Sequence, residues 1–178
     1  MAQDKVSYKA EWEINKFKDP TGKIGKFLQQ GGSIEEAIKQ FGIKPKKEVI
    51  PGNVGLNEGL QTLIDAICSI GTTTKWDAAN ARLGVGDSNA APAPTQTGLQ
   101  AAVNKAYKGM DSGYPQRSGQ IAIWRSTFID GEAQYAWEEY TVVNAANDTG
   151  SNLNRATSSK GTKVAGESWT LELRITFS

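Results

Sequence analysis

No histidine occurs in the 178 residues, and cysteine occurs once. The missing imidazole excludes Ser-His-Asp and Cys-His catalysis, the usual zinc sites and the commonest general acid–base group. An enzyme built on this chain would have to work with carboxylates, lysine or tyrosine alone. Cys68 cannot form an internal disulfide, so stability has to come from packing or oligomerisation. Nothing nearby would lower its pKa and make it a reactive thiol. Charge of one sign is also missing. Lys and Arg number 20 against 19 Asp and Glu, a net charge of +1, so no global field recruits nucleic acid or an anionic membrane. No apolar run approaches membrane-spanning length, and the start M-A-Q-D-K-V lacks a hydrophobic signal segment. The expectation is a soluble chain made in the cytoplasm. P-loop, CxxC and basic-stripe patterns are absent too, so no cofactor is expected. What the chain does have is 19 glycines and a modest hydrophobic fraction of 38%, the profile of one turn-rich domain, or one domain with an arm.

The stretch Gly52–Ser88 is the most strongly patterned. Leu60, Leu63, Ile64 and Ile67 fall at i, i+3, i+4 and i+7, one apolar stripe of a helix. Asn57 fits its N-cap, Glu58 its positive start and Gly71 its stop. No other helical segment is as apolar, which predicts that this helix covers a sheet. A-R-L-G-V-G-D-S then reads as a short buried strand and a glycine turn. Gly84-Val85-Gly86 lacks the third glycine and following helix of a dinucleotide site, and Asp87-Ser88 lacks the histidine of a hydrolase. Asp87 is expected to bond local backbone N–H groups.

Elsewhere the pattern is mostly strand. Lys5 to Ile14 alternates, with Val6, Tyr8, Ala10, Trp12 and Ile14 on one face and charged residues on the other. Asp19-Pro20-Thr21-Gly22 is a turn. Ser33 and Glu36 have capping-box spacing, and Ile34, Ala37, Ile38 and Phe41 form a short helical stripe ended by Gly42. Eight or so residues are marginal alone, so this inserted helix must dock, with the domain's own core and a partner subunit equally open. Lys46 to Ile50 resumes as a strand paired with the first. Lys44, Lys46 and Lys47 fit a solvated turn better than a phosphate site. Leu99, Ala102, Val103 and Ala106 indicate a brief helical turn. Gln120 to Phe128, Ala133 to Val143, Leu153 to Thr157 and Trp169 to Phe177 read as further strands, the last with the best alternation of all. Roughly seven short strands with few helices favour a β-sandwich.

Carboxylates occur as Glu11 with Glu13, Glu138 with Glu139, and Asp130 near Glu132. A glycosidase needs two carboxylates across a cleft. Glu11 and Glu13 share a wet strand face, whereas Glu138 and Glu139 point to opposite faces. Whichever of the latter faces inward needs a partner such as Arg125 or Arg174. Asn144 to Asn154 offers oxygen donors but lacks the pattern of an EF-hand, and no metal is expected. Five tryptophans could stack sugars or bases, but four lie on predicted strands, where core or interface is the ordinary place. The candidate interaction residues are Trp12, Ile34, Ile38, Phe41 and Trp124.

Several segments, in order, resemble a diffuse set of tailed-bacteriophage virion proteins. V-S-Y-K-A-E-W-E-I-N-K-F leads through a glycine-containing turn to N-V-G-L-N-E-G-L-Q-T-L-I-D. A-R-L-G-V-G-D-S, T-Q-T-G-L-Q, K-G-M-D-S-G-Y-P-Q-R-S-G, E-A-Q-Y-A-W-E-E-Y and G-T-K-V-A-G-E-S-W-T-L-E-L-R-I-T follow in the same order. The likeness covers most of the chain from Leu56 onward, and Ile24 to Ile43 departs from it. The resemblance implies a non-enzymatic component of the virion, on the head surface, at the neck or in tail fibres. Such proteins form homo-oligomers, often trimers, and bind a capsid or tail protein through the N-terminal region. The fold expected is mainly β, an antiparallel jelly-roll-like β-sandwich with one covering helix and the short inserted helix. Residues 1–51 would be an attachment arm and 52–178 the sandwich. A carbohydrate-binding receptor module, with Trp76, Tyr114 or Trp124 exposed on loops, is the alternative from another class. A hydrolase using Glu11 and Glu13 ranks third.

Overall fold

In the computed structural model, which describes residues 8–178, the C-terminal strand is the axis of the first sheet. Its inward residues Trp169, Leu171, Leu173 and Ile175 are buried, and its outward ones carry Glu172 and Arg174. Alternation of this kind puts one set of side chains in the core and the other in water. Five strands make this sheet: β1 (Tyr8–Lys18), β2 (Lys46–Ile50), β6 (Gln116–Ser118), β7 (Ile121–Phe128) and β10 (Glu167–Phe177). Their order is β2-β1-β10-β7-β6, antiparallel throughout. The second sheet holds β3 (Val54–Gly55), β4 (Arg82–Gly86), β5 (Lys105–Gly109), β8 (Glu139–Val143) and β9 (Asn152–Thr157) in the order β3-β9-β8-β4-β5, again antiparallel.

The two sheets share one apolar cluster. Trp12, Ile14, Trp124, Trp169 and Leu171 meet Leu83, Val85, Tyr140, Val142 and Leu153 there. Trp137 sits among them, its ring edge-on to Phe128 and to Trp169 at 4.9 Å each. Each large side chain so buried contributes about 1.5–3 kcal/mol. β1 and β2 belong to this sheet, and Trp12, Ile14 and Ile50 to its core. Lys5 to Ser7 of the expected first strand lie outside the described residues.

Three helices complete the description: α1 (Lys23–Gln29), α2 (Ile34–Phe41) and α3 (Asn57–Cys68). The first two cover part of the outer face of the first sheet. Phe17, Ile24, Leu28 and Ala37 form a second, smaller cluster, with Ile34, Ile38 and Phe41 packed against it. α2 has the expected capping box, Ser33 and Glu36 each bonding the other's backbone amide.

The strongest sequence expectation turns over at α3. Its cap is Leu56 rather than Asn57, and the chain leaves it through Ser69, in the left-handed region, rather than at Gly71. The helix rests on β9 through its small and polar face. A Cβ on Gly59 would overlap Asn152 O and Leu153 Cα. Glu58 accepts from Asn152 N at 2.8 Å, and Thr62 Oγ1 meets Ser151 Oγ at 2.8 Å. The apolar stripe points the other way, leaving Leu60 38%, Ile64 55% and Ile67 74% exposed, with Ile70 beyond the helix at 57%. Periodicity finds a stripe but does not say which face the fold covers.

Candidate functional site

The five candidate interaction residues divide in two. Trp12 and Trp124 are buried in the shared core. Trp12 Nε1 donates to Asn53 Oδ1 at 3.3 Å and Trp124 Nε1 to the carbonyl of Trp76 at 3.0 Å, so neither ring faces a partner. Trp76 is half-buried against the same core. Ile34, Ile38 and Phe41 pack on their own chain, Phe41 edge-on to Phe27 at 5.7 Å.

Ile34 and Ile38 also wall a groove of about 670 Å³ on the outer face of the first sheet. Pairing in register places its floor residues. Glu13 lies opposite Glu172 across β1 and β10, and Glu172 lies opposite Arg125 across β10 and β7. Like charges face each other directly here, and cations offset them. Lys47 Nζ is 2.6 Å from Glu13 Oε2, and Asn15 Nδ2 donates to Glu13 Oε1 at 2.9 Å. Arg174 Nε donates to Glu172 Oε1 at 2.6 Å. Glu11, Glu35 and Lys44 complete the charged lining. Glu11 is ion-paired with Lys9 at 2.8 Å, which holds its carboxyl below the ordinary value. Neither Glu11 nor Glu13 is therefore free of a cation, as a general acid at this face would need to be.

One end of the groove is fixed by a buried cluster. Arg125 Nε donates to Asp111 at 2.9 Å, and its Nη2 donates to the carbonyls of Leu28 and Gly32 at 2.9 and 2.8 Å. This guanidinium thus ties the end of α1 to the sheet. Asp111 also accepts from Thr127 N and Oγ1 at 2.8 and 2.7 Å. Burial raises its pKa, against the pull of Thr127 and Arg125. The Tyr114 ring, whose centroid is 4.5 Å from the Arg125 guanidinium carbon, forms the wall beside it. A cation over a ring adds about 0.5–2 kcal/mol and fixes its orientation.

A second buried ion pair lies in the other sheet. Glu139 and Arg155 are fully buried and bonded, Nε to Oε2 at 2.8 Å. Arg155 Nη2 stands 2.7 Å from the same oxygen without hydrogen-bond geometry. Glu139 takes the amides of Gln100 and Ala101 at 2.8 and 2.7 Å, and Arg155 Nη1 donates to Ala90 O and Gln96 Oε1. The sequence predicts a partner such as Arg125 or Arg174 for whichever of Glu138 and Glu139 faces inward; Glu139 does, and its partner is Arg155. The available signal was an arginine inside a predicted strand two residues diagonal to the glutamate.

Asp87 bonds Asn104, its Oδ2 accepting from Nδ2 at 2.7 Å, rather than local amides. Asn144 closes its own loop, accepting from Ser151 N and donating to Thr74 O. Among the described residues, no group of three or more Cys, Asp or Glu side chains converges on a metal position, and no helix is long and apolar enough to cross a membrane. Comparison of the chain with family models, curated proteins and solved structures finds no match.

Proposed function

We propose that the chain is a non-enzymatic structural subunit of a tailed-phage particle, a head decoration or fibre-base protein with a jelly-roll-like β-sandwich. It associates with its own copies and binds the capsid. The exposed stripe of α3 is the observation that carries this reading. Leu60, Ile64 and Ile67, all exposed, follow the four-and-three spacing with which like helices meet, and an apolar face of this kind is an association surface. The ordered segments shared with virion proteins support the setting, and the ion-paired carboxylates of the groove support a role without catalysis.

The occupant proposed for the stripe is a second copy of the chain. Fully burying an isoleucine is worth about 1.5–3 kcal/mol, so Ile64 and Ile67 together give association a gain of order tenfold or more. The mass of the purified protein, measured by light scattering, should be that of a discrete homo-oligomer. Ile64→Lys with Ile67→Lys should give a folded protein of lower mass. A monodisperse monomer that binds neither capsids nor tails would overturn the proposal.

A further inference from the structure

The groove on the first sheet is lined by no residue of α3, and its chemistry is specific. Its volume, about 670 Å³, is within the ordinary range for a ligand site, about 300–1,000 Å³. Glu11 is paired with Lys9, Glu13 with Lys47, Glu172 with Arg174 and Arg125 with buried Asp111, which leaves Glu35 and Lys44, one charge of each sign, along its lining. A charged ligand would have to break pairs such as Lys47–Glu13 or Arg174–Glu172 and leave one member uncompensated. A ligand with many hydroxyls and no net charge would not. Each carboxylate oxygen retains a lone pair beyond the one its cation uses, and guanidinium carries five N–H donors. Vicinal hydroxyls, which both donate and accept, match such planar paired groups. The wall supplies the apolar complement. The Tyr114 ring is held by Arg125 as a flat platform, and Val49 on β2 is exposed at the opposite edge.

We infer that this groove binds a neutral oligosaccharide, its hydroxyls bonded by Glu13, Glu172 and Arg174 and a sugar face laid on Tyr114. The inference goes beyond the structural role and is independent of α3. The test is binding of the intact protein to a printed array of neutral, sialylated and sulfated oligosaccharides, followed by calorimetry with the best neutral probe. Neutral glycans should bind, and Arg174→Ala and Tyr114→Ala should each weaken binding by tenfold or more. Arg174 is half-exposed, so its variant stays folded even if the Tyr114 variant does not. Ile67→Lys on α3 should leave binding unchanged. Silence across the array, preference for the charged glycans, or full binding by Arg174→Ala would overturn the inference. None of these results would touch the oligomeric state, on which the proposed structural role stands or falls.

Discussion

Replacing Arg155 with methionine removes a fully buried guanidinium from an equally buried carboxylate. Methionine keeps much of the volume, so the change isolates charge and hydrogen bonding from cavity formation. Three hydrogen bonds disappear, one to Glu139 and two to Ala90 O and Gln96 Oε1. Glu139 then keeps two backbone donors, Gln100 N and Ala101 N, and no countercharge. Removing one partner of a buried pair costs about 3–5 kcal/mol, a large part of the roughly 5–15 kcal/mol that holds a domain together. Chemical denaturation at neutral pH should show a loss of that size. A loss under about 1 kcal/mol would refute the reasoning. Replacing both members with hydrocarbon would not restore stability, because the amides of Gln100 and Ala101 would be left without acceptors.

Gly59→Ala should lower the melting temperature, since the overlap with the β9 backbone, about 1–3 kcal/mol by analogy with overpacking, outweighs the roughly 1 kcal/mol gain in helix propensity. A stabilised variant would mean that α3 does not rest on β9. All five tyrosines, Tyr8, Tyr107, Tyr114, Tyr135 and Tyr140, have pKa values raised first by burial. Stability is complete below about pH 10, where both states hold their protons, and falls above it, where only the unfolded chain ionises. Fully buried Tyr140 alone contributes about 1.4 kcal/mol per pH unit there. Tyrosinate absorbance should therefore rise together with loss of the fold, and five independent titrations near pH 10 in the folded protein would contradict this.

Residues whose neighbours are close in sequence were legible. Alternation located β10 and much of β1, and Ser33 with Glu36 marked the start of α2, because each signal is complete within a few residues. The misses came from distant partners. Leu99 to Ala106 carries helical spacing, yet Leu99 N bonds Asp148 and the next two amides bond Glu139, so no turn of helix forms. The expected strand from Ala133 shrinks to Glu139–Val143. Ala133 has a positive φ of 48°, and Trp137 N donates to Gly161 O rather than to a strand neighbour within a regular ladder. The described residues form ten strands rather than about seven, because β3 and β6, two and three residues long, are too short to show a period, and β5 falls where Ala106 completes the helical spacing. Of the candidate site, the sequence pointed to Ile34 and Ile38, but the facing of Glu13, Glu172 and Arg125 depends on strand order, which periodicity does not encode.

That strand order has a consequence for growth. The outer strands of the two sheets are β2 and β6, β3 and β5. Two are only a few residues long, β2 carries Lys46 and Lys47 between Pro45 and Pro51, and β5 carries Lys105 and Lys108. Short, lysine-bearing or proline-flanked edges are poor templates for another chain's backbone. For the self-association proposed above, such edges favour contact through side chains over extension of a ladder, which has no natural last member. Association through a face can instead close on itself in a ring of fixed number.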